Sequence, residues 1–194
     1  MTASSATTIT AVKARRVWDS RGRPTVEADV TLAGGALGRA IAPAGASRGS
    51  NEAIDLRDGG PRFGGWDVTD ALKQTNGAIA KTLIGMDAGD QAAVDQALFA
   101  LDGTPNKANL GGNATIAVSM AVLHAAANQS GLPLWKYLWD QGGTPGLPLL
   151  PLPEIQIFGG GAHAGRRIDV QDFMVIATGA DDYEQALAWT AEVY

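Results

Sequence analysis

The chain of 194 residues contains no cysteine. Disulfides, thiolate zinc sites and a cysteine nucleophile are therefore excluded, and the composition suits a reducing compartment. Long apolar runs are missing as well. The nearest approach, Thr115 to Ala127, is broken by Ser119 and His124, so no segment reads as a bilayer span and no membrane partner is expected. The Ser/Thr-rich start, MTASSATTITAVKARR, lacks the apolar centre of a secretion signal. These absences lead to the expectation of a cytoplasmic protein. Positive charge is not in excess either. With 15 Lys and Arg against 20 Asp and Glu, the net charge is −5. Such a chain is poorly suited to nonspecific binding of nucleic acid or anionic membrane.

What is present is a pattern of short strands followed by helices. Residues 1–8 read as a loose tail. TITAVKARRVW forms a first strand, DSRGRP a turn, and TVEADVTL a second strand whose apolar residues alternate with polar ones. After Gly34-Gly35, ALGRAIAP supplies a third strand. The short links predict an antiparallel meander. Asp67 is placed to cap a helix whose stripe is Val68, Leu72, Thr75, Ile79 and Leu83. Gln91 to Leu101 repeats that spacing. Asn113 to Gln129 reads as a buried helix ended by Gly131, and Pro133 opens a short one. GGTPGLPLLPLP, residues 142–153, is the clear linker. Beyond it come strand EIQIF, glycine-rich GGGAHAGRR, strand IDVQDFMVIA and a helical pattern, DDYEQALAWTAEVY, with no C-terminal glycine.

Few residues invite chemistry. Ser47 lies in APAGASRGSNEA, a surface turn or a mobile loop. A Walker-type phosphate loop is rejected because Gly49 is followed by Ser50-Asn51 and not by Lys-Ser/Thr. A hydroxyl and nearby carbonyls remain as hard oxygen donors suited to Mg²⁺. His124, inside the apolar helix, reads as a buried, hydrogen-bonded structural residue. His163, in a glycine-rich loop after a strand, reads equally as a binding residue or a solvated one. A dinucleotide reading of GGGAHAG fails, because Arg166-Arg167 lead into a strand and not into a helix. Asp172, beside Phe173-Met174, is a candidate partly desolvated carboxylate for proton transfer, or a plain strand-end aspartate. On a strand, Asp169 would share a face with Gln171 and oppose Asp172. The charges of EAIDLRDGG read as an ion-pair face.

Taken together, DSRGRPTVEADV, APAGASRGSNEAIDLRDGG, NLGGNATIAVSMA, GLPLWKYL and LPLPEIQIFGGGAHAGRRIDVQDFMV resemble enolase (phosphopyruvate hydratase), in that family's order and spacing. The resemblance implies an α+β capping domain at 9–141, a three-stranded antiparallel meander packed with helices. It implies a linker and the first strands and helix of an incomplete α/β barrel at 142–194. It implies a lyase of glycolysis that reversibly dehydrates 2-phosphoglycerate to phosphoenolpyruvate, with Mg²⁺ as cofactor. It assigns Ala46, Ser47, His163, Gln171 and Asp172 to substrate, Ser47 also to metal, and His163 and Asp172 to catalysis. A homodimer is implied, with Arg15 and Glu27 at positions that pair across it in relatives.

The sequence departs from the family pattern in three ways. Asp172 stands for the usual glutamate, shorter by one methylene or about 1.5 Å. Gln156 and Gly159 stand for usual asparagines, and Glu154 for an apolar residue. The family's catalytic lysine, principal acid and carboxylate metal ligands are not among these residues. A superfamily enzyme acting on a different phosphorylated or carboxylated acid, and a noncatalytic truncated paralogue acting in protein contacts, are the alternatives.

Overall fold

The computed structural model describes residues 5–45, 49–143 and 145–194. Alternating apolar side chains on three short-linked runs build its first sheet. β1 (Ile9–Trp18), β2 (Pro24–Leu32) and β3 (Leu37–Ala42) pair antiparallel in the order β1-β2-β3. The meander is thus the expected one. Val26, Ala28, Val30 and Leu32 of the central strand are all buried. The opposite face of β2 was expected to be solvated, but Glu27 is buried too. Two neighbouring arginines cover it. Arg15 pairs with Glu27 and, at 2.7 Å, with Asp29, and Arg39 reaches Asp29 at 2.6 Å. Arg15 and Glu27, which the family resemblance assigns to a dimer contact, therefore pair within one chain. The Arg39 hydrogen bond, helped by Arg15 and opposed by burial, lowers the Asp29 carboxyl from 3.8 to about 2.

Residues 5–8, read from sequence as part of the tail, are held by backbone hydrogen bonds. Ala33 N–H donates to Thr8 O and Gly34 N–H to Ala6 O, both at 2.8 Å, and Ala88 N–H to Thr7 O at 3.0 Å. The Ser/Thr composition hid this, because these three bonds are made by main chain.

Behind the sheet lies a helical stretch in three parts: α1 (Thr69–Gln74), a π turn (Thr75–Ile79) and α2 (Ala80–Leu83). Val68, Thr75, Ile79 and Leu83 are buried, as their spacing predicts. The cap is not Asp67. The Asp58 carboxylate accepts from Thr69 N–H at 2.9 Å and Asp70 N–H at 3.0 Å. Asp67 is buried and pairs with Arg16 at 2.7 Å and Arg62 at 3.3 Å. A cap supplied from eleven residues upstream has no local sequence signature.

α3 (Gln91–Asp102) is capped by Asp90, which accepts from Ala93 N–H at 3.0 Å. α4 (Gly112–Gln129) is the central helix, and Ala114, Ala117, Ala121 and Ala125 are fully buried in it. Those small residues let β3 approach closely. At Gly38 a Cβ would fall 2.0 Å from the Ala121 carbonyl oxygen, so no side chain fits there. Asn113 ties the preceding loop to α4, accepting from Leu56 N–H and donating to Leu56 O, each at 3.1 Å. His124, expected buried and bonded, is half-buried and makes no hydrogen bond among the described residues. α5 (Leu134–Gly142) follows Pro133. This first compact unit comprises residues 5–45 and 49–143.

A second unit holds residues 145–194. In it β4 (Glu154–Gly159) and β5 (Asp172–Ile176) pair antiparallel, and α6 (Tyr183–Val193) follows, capped by Asp182 accepting from Gln185 N–H at 2.8 Å. The second strand was expected over 168–177. Its first four residues instead carry the loop back toward the glycine turn. The antiparallel pairing differs from the parallel order of a regular βα repeat.

Candidate functional site

The β4–β5 hairpin builds the site from its loop end. β4 carries a bulge. Gln156 pairs with Met174, yet Phe158 pairs with Phe173 and Gly159 with Asp172, so one extra residue, Ile157, is inserted. The consequence is geometric. Paired residues share a face, and successive residues alternate. Phe158 is therefore turned to the Phe173 face. Gln156 and Gly159 stand on the Asp172 face, which is left without a bulky ring from β4.

The glycines after β4 fold into a single 3₁₀ turn, Gly161–Ala164, that presents His163. Main-chain bonds fix it to the segment leading into β5. Gly160 N–H donates to Gln171 O at 2.6 Å, Gly161 N–H to Ile168 O at 2.8 Å, and Arg166 N–H to Gly161 O at 2.7 Å. A Cβ at Gly160 would lie 1.8 Å from the Val170 carbonyl oxygen, so the close approach requires glycine. A Cβ built on Gly159 would lie 3.4 Å from the His163 Cβ and 3.2 Å from Gln156 Nε2. A Cβ on Gly161 would lie 3.5 Å from the Gln171 Cβ. His163, Gln171 and Asp172 thus gather around one turn, although Gln171 lies eight positions after His163 in the chain.

Asp172 is half-buried, and its Oδ1 accepts a hydrogen bond from Gln156 Nε2. Its Oδ2 makes no hydrogen bond among the described residues, and His163 is exposed. His163 lies next to Gly159, and Gly159 pairs with Asp172, so both residues stand at the loop end of the hairpin. An imidazole and a carboxylate are groups able to hold or move a proton. Asp169 is not brought in. It lies in the bend before β5 and is exposed, so the strand alternation read for it does not apply. Ala46 and Ser47, the proposed substrate and metal contacts of the G-A-S loop, lie outside the described residues. Among the described residues no group of three or more His, Cys, Asp or Glu side chains could hold a metal ion.

Sequence reasoning noted Gln156 as a departure from pattern but missed it as the partner of Asp172. The available signal was its place on a strand adjoining the one that carries Asp172.

The fold and the hairpin define a class: an antiparallel sheet-and-helix unit followed by an α/β segment that carries an imidazole and a carboxylate on a glycine-shaped turn. Residues 9–138 match the family model described as Enolase, N-terminal domain, and residues 148–194 match that described as Enolase, C-terminal TIM barrel domain. The chain belongs to the enolase family, a family of lyase type. No helix among the described residues is long and apolar enough to cross a membrane.

Proposed function

We propose that this chain contributes to the Mg²⁺-dependent, reversible dehydration of 2-phosphoglycerate to phosphoenolpyruvate. The observation that supports this reading best is the grouping of His163, Gln171 and Asp172 around one turn in a chain of the enolase family. In the reaction a base takes the proton from C2, and the C–H electron pair moves toward the carboxylate. The C3–O bond then breaks, and the departing hydroxide takes a proton to leave as water. Asp172 and His163 are the groups of this chain proposed to hold that proton. Ala46, Ser47 and Gln171 are proposed to contact and orient the substrate. Ser47 is also proposed as an oxygen ligand of Mg²⁺, which when bound supplies charge neutralisation at the substrate carboxylate.

The native polypeptide carrying these residues, given 2-phosphoglycerate and Mg²⁺, is expected to generate phosphoenolpyruvate absorbance. A folded polypeptide with no turnover would sink the assignment. A homodimer in the cytoplasm belongs to the same proposal, and light scattering of the purified protein tests the dimer.

A second reading has its own observation. Asp172 is shorter than the family glutamate and is engaged by Gln156, a residue outside the family pattern. That favours a different phosphorylated or carboxylated acid as substrate. Turnover of such an acid, with none of 2-phosphoglycerate, would decide for it.

A further inference from the structure

We infer that Gln156 is a positioning residue for Asp172, and that Gly159 is the space that lets it act. This inference rests on the reading of Asp172 as a functional carboxyl. Three observations carry it.

The first is the bond itself. Gln156 lies across from Met174, two residues along β5 from Asp172 and on the same face. Its side chain runs diagonally to donate Nε2–H to Asp172 Oδ1. The second is the bulge at Ile157, which turns Phe158 away and sets Gly159 directly opposite Asp172. The third is the steric limit at residue 159. A Cβ there would crowd Gln156 Nε2 at 3.2 Å and touch the His163 Cβ at 3.4 Å. Any side chain at 159 therefore competes with the Gln156 amide for the space it uses to reach Asp172.

Reach explains the residue choice. A carboxyl on a short aspartate stem stands about 1.5 Å nearer its strand than one on glutamate. An amide on a long glutamine stem stands farther from its own strand by the same increment. The two departures cancel along the line joining them, so the pair stays in contact while the carboxylate sits closer to β5. Gln156 orients that carboxylate by occupying Oδ1, and Oδ2 is left for a ligand. Gln156 is exposed and the bond is a single one at the surface. Its removal costs the fold little, so a large kinetic effect would not arise from unfolding.

The test uses the native polypeptide with glutamine side chains labelled by nitrogen-15, and kinetics with 2-phosphoglycerate and Mg²⁺. The Gln156 side-chain amide resonance is expected to shift in Asp172→Ala and in Gly159→Ala. An unmoved resonance in both overturns the inference, whatever the activity. In kinetics, Gln156→Asn and Asp172→Glu each lose contact or overfill the gap, and each is expected to lower kcat by about tenfold or more with little change in KM. The double variant Gln156→Asn/Asp172→Glu restores the summed reach and is expected to recover to within about threefold of the parent. A double variant as poor as the product of the two single losses would also overturn the inference. If the parent does not turn over 2-phosphoglycerate, the functional reading fails, and the amide resonance alone decides the pair.

Discussion

At the residue scale, each functional side chain is defined by what it touches. On the proposed role of His163 and Asp172 in holding a proton, His163→Ala and Asp172→Asn are expected to reduce phosphoenolpyruvate formation by about 100-fold or more, with circular dichroism unchanged. Asp29 makes the opposite kind of prediction. Its carboxyl is held at about 2 by Arg39 first and Arg15 next, below the ordinary 3.8. A depressed carboxyl stabilises the fold in full above its unfolded-state value, and that contribution is lost as the pH falls through the folded value. Asp29→Asn is therefore expected to cost on the order of 1 kcal/mol near neutrality, after allowance for the exposure of both arginines. Urea titrations should show the deficit narrowing as the pH drops from 3.8 toward about 2. Residue spacing left His163 and Asp172 each with a bland reading, and only the family resemblance grouped them with Gln171. The turn that brings the three together is made by main-chain bonds of glycines, which carry no side-chain signal. The Gln156 contact was not legible, because a bulge of one residue decides which side chains share a face.

At the scale of the element, caps and close approaches carry the predictions. Asp58 supplies two hydrogen bonds to the first turn of α1. Asp58→Ala should cost about 1 kcal/mol, the usual loss of an N-cap, read as a lower denaturation midpoint with an unchanged slope. Asp67→Ala should cost more, about 3 kcal/mol, because it leaves the Arg16 charge beside the core without its partner. An equal loss at the two positions would contradict the assignment of Asp58 as the cap. The strand and helix periods along β1 to α4 were readable, since burial follows from alternation and from spacing by three and four. The cap was misread because Asp67 lies next to the helix in sequence while Asp58 lies next to it in space. Residues 168–171 were misread for a related reason. Their apolar and polar alternation suits a strand, but the main-chain bonds of Gly160 and Gly161 draw them into the turn instead.

Across the whole molecule, two compact units have their own internal organisation. The first contains a continuous core running through Val26, Val30, Ile79, Leu83, Val94, Leu98 and Val118. A polypeptide of residues 5–143 is therefore expected to melt cooperatively by itself, with coincident far- and near-ultraviolet circular dichroism transitions. Non-coincident transitions would show that this unit needs help from elsewhere. The second unit is a hairpin and one helix, with Phe158, Val170, Met174 and Ile176 exposed. Expressed alone, it is expected to associate through those side chains, measured as concentration-dependent light scattering.

The sequence by itself determined the meander, the helical stripes and the family, because these depend on periodicity, turn residues and strings read along one strand of chain. Tertiary structure alone decided that Glu27 would be buried under arginines, that Asp58 would cap a helix it does not adjoin, and that Gln156 would hold Asp172. Each of these is a contact between residues distant in sequence, fixed by strand register and by the space a glycine leaves. Neither register nor space is written in local pattern, because one inserted residue is enough to exchange the faces of a strand.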